Sequence, residues 1–557
     1  MIVQLLALLA APSLQLVPHP PGVTTLVSVG AEGAQSNGIS INSSVTDDGH
    51  FVAFESVASN LVPGDTNNNS DVFLRNRLLG TTVRVSLTLG GAQVQKGARL
   101  PVVSGDGTKV VFISESQFFG PGDTNQSADV ILRDLQTGTN TLASVNSDGI
   151  VGDEASGPAD LSQDGHFVVF ASHADNLVPG DDNDLDDVFV RDMELGLTER
   201  VSVATDGTQG NGDSEDVSIT PDGRFVSFSS KASNLVADDV LSAQIDVFVR
   251  DRLLGTTELV SRAPDGTPGN QDSFFASMTD DGRYVAFMSR ASNLVPGDIN
   301  GLSDVFVKDR LTGDVELVSV GWLGETVIEA SDSPILSADG RFVVFGSVAD
   351  NLVPLLPTGD PDHHEDHEVF LRDRLLGTTK QISLTPEGKQ ADEGSITPCM
   401  TPDGSIIAWE TYASDIASDT VDTNGVTDIV VRDLSPWTDM GGGLAGAQGV
   451  PTLAGHGLLV GLTDADIQLA GAAPFAPTLL VLALQSSQVP FKGGVLVAFP
   501  FVMQLPVVTD AAGALVLPFT WPEGVPGGTA LWFQALMHDA AAVQGVALST
   551  TLAAVVP

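Results

Sequence analysis

One cysteine, two tyrosines and 25 Lys+Arg among 557 residues close off several chemistries at the outset. Cys399 has no partner for an intramolecular disulfide, and a lone thiol supports neither a Cys-based zinc site nor a CxxC redox centre. It reads as a small buried hydrophobe. The few bases face 71 Asp+Glu, giving a formal net charge of −46. That charge repels phosphate backbones, which excludes nucleic acid as a partner, and disfavours an anionic membrane surface. Beyond the first residues no stretch reaches ~18 uninterrupted apolar positions, so no transmembrane segment is expected. Tyr284, Tyr412, Trp322 and Trp409 are the tyrosines and tryptophans before residue 435, too few for the exposed platforms that sugar binding uses. Catalytic signatures are missing as well: there is no Gly-x-Ser-x-Gly elbow, no His-Glu-x-x-His and no phosphate-cradling Gly-x-x-x-x-Gly-Lys loop. The string Gly441 to Gly446 fits GxGxxG without the strand and helix that give that motif meaning.

Apolar residues make up 42% of the chain and charged ones 17%, enough for sizeable cores rather than disorder. The opening run Met1 to Pro12 has the short apolar stretch and trailing small residues of a secretory signal. Residues 1–20 are therefore expected to be a signal peptide and the protein to be exported, to the periplasm, cell surface or medium.

Self-comparison organises the rest. An Asp-Gly pair followed by an apolar strand ends at Gly49, Gly107, Gly165, Gly223, Gly282, Gly340 and Gly404, with spacings of 58, 58, 58, 59, 58 and 64 residues. A second strand of the type Asp71-Val-Phe-Leu-Arg recurs at Asp129, Asp187, Asp246, Asp304, Glu368 and Asp428. Each repeat reads as four strands, A to D, with Asp-Gly as the A–B hairpin turn because glycine accepts positive φ freely. The run of Val, Ile and Phe on strands B and C marks a sheet covered on both faces. One such sheet cannot cover itself, so the repeats must pack on each other as propeller blades. The seventh repeat lacks a strand D, and an orphan D-like strand, Thr24-Thr-Leu-Val-Ser-Val, stands before the first. A seven-bladed β-propeller over about residues 23–435, closed by that N-terminal strand, is the expected fold.

Asp222-Gly-Arg-Phe-Val226, Ala291-Ser-Asn-Leu-Val-Pro-Gly-Asp298 and Asp246-Val-Phe-Val-Arg-Asp-Arg-Leu253 resemble the TolB-like, WD-repeat-like propeller repeats of bacterial exported proteins. The resemblance covers about three-quarters of the chain and implies a scaffold or binding platform, in some cases joined to a hydrolase domain. Residues 436–557 differ sharply. Six acids stand there against Lys492, so only −5 of the charge falls in this part. Short apolar stretches broken by Gly and Pro predict a small C-terminal all-β, sandwich-like domain.

The B–C loops carry the candidate chemistry. Five fit Asp-x-Asn-x-x-x-Asp: Asp65/Asn67/Asp71, Asp123/Asn125/Asp129, Asp181/Asn183/Asp187, Asp298/Asn300/Asp304 and Asp422/Asn424/Asp428. Alternating oxygen side chains in a tight loop suit a hard cation, and Ca²⁺ is the cofactor they could hold. The same residues also serve as turn caps that bond backbone N–H groups and need no metal. Repeat six carries Asp362-His363-His364-Glu365-Asp366-His367, where His364 and His367 beside carboxylates suit a transition metal or form a solvated insertion. The repeated strand C pair Arg250-Asp251 and Arg372-Asp373 reads as a structural ion pair. The leading functional expectation is a non-enzymatic, monomeric propeller that binds a protein or cell-surface ligand, basic in charge, through its acidic loop face. The alternative is a hydrolase or lyase working at the central channel.

Overall fold

The computed structural model describes residues 22–555 apart from 31–32, 117–118, 120–124, 240–243, 355–365 and 420–421. Beyond 435 it also leaves out 436, 440–443, 446–449, 457–458, 460–463, 485, 492–493, 499–500, 521–528, 540–541 and 543–545. The signal-peptide expectation thus lies outside the described residues.

Seven four-stranded antiparallel sheets account for the repeats. In blade 1 strands A to D are Ser40–Val45, Phe51–Ser56, Asp71–Asn76 and Thr81–Arg84. Blades 2 to 6 repeat this order over 98–142, 156–200, 214–259, 273–317 and 331–381. Blade 7 takes Ser395–Met400, Ile406–Thr411 and Asp428–Asp433 as strands A to C, and its strand D is Thr24–Leu26, in register Thr24 opposite Arg432 and Leu26 opposite Val430. Each strand A neighbours that of the next blade, and Ser395–Met400 neighbours Ser40–Val45, so the array returns on itself. These contacts make a propeller ring with strand A innermost.

The core follows from strands B and C being apolar on both faces. Phe54 stands directly opposite Phe73 with ring centroids 5.7 Å apart, and Phe170–Phe189, Phe228–Phe248, Phe287–Phe306 and Phe345–Phe370 repeat the pair at 5.8–5.9 Å. Each hydrophobic cluster then spans two blades: Val188 and Val190 of blade 3, for example, pack with Val226 and Phe228 of blade 4. Burying a large apolar side chain contributes about 1.5–3 kcal/mol, and in these clusters the neighbouring blade supplies part of the cover.

The Asp-Gly turns also join blades. Gly223 has φ +71°, and a Cβ there would sit 2.2 Å from Cδ2 of Phe167 in the preceding blade. Arg252 closes the same junction: its guanidinium lies 4.4 Å over the Phe167 ring, bonds Glu199 at 2.7 Å and donates to the Gly223 carbonyl. Phe225 under Gly282 with Arg310, and Tyr284 under Gly340 with Arg374, repeat the clamp. The expected strand C ion pair forms with different partners: Asp251 binds Arg224 in bidentate fashion at 3.2 and 2.7 Å, while Arg250 donates to Thr257 at 3.0 Å. The two neighbours in sequence point to opposite faces of the strand and cannot pair with each other.

Every strand A is interrupted by a bulge. Its third residue is left-handed in six blades, at Asn42, Leu100, Asp216, Phe275, Ser333 and Thr397 with φ of 49–54°, and is Pro158 in blade 3. A second compact unit consists chiefly of Asp433–Pro557. In it a six-stranded sheet and the three-stranded sheet Thr452–His456, Asp464–Ala470 and Leu515–Thr520 share a core that includes Leu453, Ile467, Leu469, Leu480 and Phe533.

Gly223→Ala combines a left-handed backbone with overpacking against Phe167, an expected loss of about 3 kcal/mol. Gly207→Ala, at φ +87° with open space around it, is expected to lose only about 1 kcal/mol. Urea unfolding of the two variants checks this, and equal losses would show that the interblade contact contributes nothing.

Candidate functional site

Antiparallel order places all B–C and D–A loops on one face of the ring and all A–B and C–D hairpins on the other. The hairpin end is narrow. Residues just before the Asp-Gly pairs meet around the axis, with Asp47 N donating to the Gly105 carbonyl at 3.0 Å and Ala338 N to that of Pro402 at 2.7 Å. Gln163 Nε2 of blade 3 reaches Asp47 of blade 1 at 2.5 Å. A side-chain bond between blades two apart fits only where the opening is small.

On the loop face the strand C acid is first a structural group. In all seven blades it accepts from a serine on the strand D side: Ser86 to Asp71 at 2.5 Å, Ser144 to Asp129 at 2.7 Å, Ser202 to Asp187, Ser261 to Asp246 at 2.6 Å, Ser319 to Asp304 at 2.7 Å and Ser383 to Glu368. The seventh lock joins Ser28 to Asp428 at 2.5 Å. Each of these serines also accepts the amide that follows the acid, as Val72 N donates to Ser86 Oγ at 3.2 Å and Ile429 N to Ser28 Oγ at 3.2 Å. The signal was in the sequence, since within blades 1 to 6 the serine stands fifteen residues after the acid, and motif reading passed over it.

What completes the loop differs by blade. In blade 1, Gln93 Nε2 bridges Asp65 at 2.7 Å and Asp71 at 2.8 Å, Arg84 pairs with Asp65 at 2.9 Å, and Asn67 Nδ2 reaches Asp71 at 3.2 Å. Blade 3 repeats this with Gln209 and Arg200, whose Nη1 lies 2.9 Å from Asp181 and 3.1 Å from Asp187. In blade 7, Gln35 spans Asp422 at 2.5 Å and Asp428 at 2.9 Å, and Asn424 donates to Asp428 at 2.9 Å. Asn183 and Asn125 donate instead to the carbonyls of Gly210 and Gly152 at 3.0 and 2.7 Å. Asp123 lies outside the described residues. In blade 5, Asn300 donates to Asp304 at 2.8 Å, while Leu317 and Thr326 stand where blades 1 and 3 have Arg and Gln.

Among the described residues no three His, Cys, Asp or Glu side chains converge as a metal site. In blades 1 and 3 a guanidinium already occupies the space between the paired carboxylates. His363 and His364 fall outside the described residues, and His367 Nε2 bonds Asp332 at 3.0 Å. Around the channel, Glu410 accepts the Asn42 amide at 2.8 Å and Glu55 that of Leu100 at 3.1 Å. These carboxylates cap the strained bulges of the next blade. Cys399 faces Ser43 at 3.6 Å, and burial pushes its thiol up to about 11.

Burial also raises the loop carboxyls. It is the largest cause for Asp181 and Asp304, each at about 6, for Asp246 at about 7 and for Glu368 at about 8. A carboxyl raised on folding keeps a proton that the unfolded chain has already released, so its contribution to stability is whole at low pH and is lost as pH climbs to the folded value. For Glu368 the window runs from about 4.5 to about 8. Glu368→Gln should flatten the fall in urea midpoint between those limits, and parallel pH profiles for the two proteins would contradict the assignment.

No protein-family model and no curated protein sequence matches the chain. Among solved structures it is similar to a protein assigned as TolB from Agrobacterium tumefaciens, at 16% identity and TM-score 0.32 over 51% of this chain and 81% of that one. The tricorn protease matches at 10% identity and TM-score 0.23 over 90% and 44%, respectively. The extracellular domain of a hybrid two-component system protein from B. thetaiotaomicron matches at 7% and 0.40 over 97% and 59%. At these scores the likenesses add nothing to what the sheets themselves show. The sheets define the class, an all-β propeller repeat protein built of four-stranded antiparallel repeats. No helix among the described residues is long and apolar enough to cross a membrane.

Proposed function

We propose that the propeller is an exported, non-enzymatic scaffold that binds a basic protein or cell-surface ligand through its loop face, with Ca²⁺ as an ordering cofactor. The observation that carries this is a division of labour among the acids. The repeated strand C carboxylates are buried and hold the loops together, whereas acids present in only some blades, such as Asp153, Glu154, Asp182, Asp184, Glu325 and Glu393, are exposed in those loops. A solvated set that varies from blade to blade on one face of a rigid ring has the character of a recognition surface rather than of a folding element. Clustered charge of one sign attracts the opposite sign and chiefly accelerates encounter. The apolar start of the chain supports export.

A lysine-rich peptide is the probe. It should bind saturably at low salt and weaken as ionic strength rises and the Debye length falls to about 8 Å. The quadruple variant D153N/E154Q/D182N/D184N should lose about tenfold in affinity, roughly 1.4 kcal/mol spread over four rim charges. Unchanged affinity in the variant, or equal binding of a glutamate-rich peptide, would remove the loop face from the proposal.

A further inference from the structure

The loops of blades 1, 3 and 5 are the same device with different fillings. Asp65 and Asp71, and likewise Asp181 and Asp187, face each other across a gap that the chain fills with its own cation and amide, Arg84 with Gln93 and Arg200 with Gln209. Blade 5 keeps the carboxylates and loses the filling. Leu317 holds the register position of Arg84 and Arg200, each opposite the strand C phenylalanine. Thr326 holds that of Gln93 and Gln209, and its hydroxyl turns away to the Gly297 carbonyl at 2.9 Å.

Two carboxylates are left buried without a counter-cation. Asp304 is 0% exposed and Asp298 6% exposed. Asp304 is held by Ser319 and by the Asn300 amide, both neutral donors. Asp298 accepts the Asn300 backbone amide, while its Oδ1 is buried and meets no donor. The charge of Asp298 also bears on Asp304, which sets the two groups against one another. Burying paired charges of one sign is costly unless a cation joins them.

We infer that blade 5 is a cation site, in which a hard divalent ion, Ca²⁺ before others, takes between Asp298 and Asp304 the place that arginine takes in blades 1 and 3. Two carboxylates neutralise one divalent charge. Backbone carbonyls and water supply the remaining oxygens that Ca²⁺ takes up, six to eight in all. This narrows the calcium part of the proposed function to one blade and is independent of the peptide-binding part.

The test is Ca²⁺ binding to the full chain after chelation, read as uptake and as the rise in melting temperature with Ca²⁺ concentration, since an ion bound only by the folded state raises it. Wild type should take up Ca²⁺ and melt higher. Asp298→Asn should lose that increment while keeping a cooperative transition. The double variant L317R/T326Q, which installs the blade 1 filling, should lose the response and melt at or above calcium-free wild type. If L317R/T326Q fails to fold, Asp298→Asn decides alone. An undiminished increment in Asp298→Asn would overturn the blade 5 assignment while leaving calcium elsewhere in the chain. A wild-type transition that millimolar Ca²⁺ does not move would overturn both the assignment and the calcium part of the proposed function. Peptide binding, measured with chelator present, separates either failure from that of the recognition surface.

Discussion

The bond from Ser28 to Asp428 joins residues 400 positions apart and is one of seven equivalent locks. The rest of the propeller depends on it because of a limit of area. A four-stranded sheet with apolar residues on both faces needs a neighbour on each side, and a row of such sheets ends in uncovered surface and open strand edges. Closing the row into a ring supplies the missing neighbour. Thr24–Leu26 completes blade 7, Gln35 and Ser36 secure its acid at 2.9 Å each, and blade 7 can then cover blade 1.

A high acid content would work against such a ring if its charge were spread through the interior. The structure sorts the acids instead. Some cap turns, as Asp48 does in accepting the His50 amide at 2.9 Å, some cap the left-handed bulges that line the channel, and the strand C acids lock strands. The strand C acids that repeat are buried with serine donors on hand, whereas the turn-capping Asp48 and several of the acids that vary face water. Function and folding therefore draw on the same residue types at different positions, which is why the loop motif alone could not separate a metal ligand from a turn cap.

Much of the architecture was legible. Asp-Gly pairs at near-constant spacing announced the repeats, the valine and phenylalanine runs gave strands B and C, and the orphan Thr24–Val29 matched the missing strand D. These signals are local and recur seven times. The site was less legible because its decisive residues lie elsewhere: Arg84 and Gln93 stand 19 and 28 residues after Asp65 and reach it only when strand D folds back beside strand C. The partner of Asp251 was likewise missed, since Arg224 precedes it by 27 residues and meets it across the B–C pair. The bulges left no pattern at all, as Asn, Leu, Asp, Phe, Ser and Thr occupy one left-handed position and are held there by neighbouring blades rather than by their own preference.

Ring closure is most directly tested by comparing thermal unfolding of the full chain with that of a chain beginning at Ile39, which lacks the strand, the Ser28 lock and Gln35. If the ring depends on that segment, the shortened chain loses the cooperative transition of the propeller, and a peptide of residues 22–37 added in trans restores it. A shortened chain that melts at the same temperature and with the same cooperativity as the full one would contradict closure by this strand.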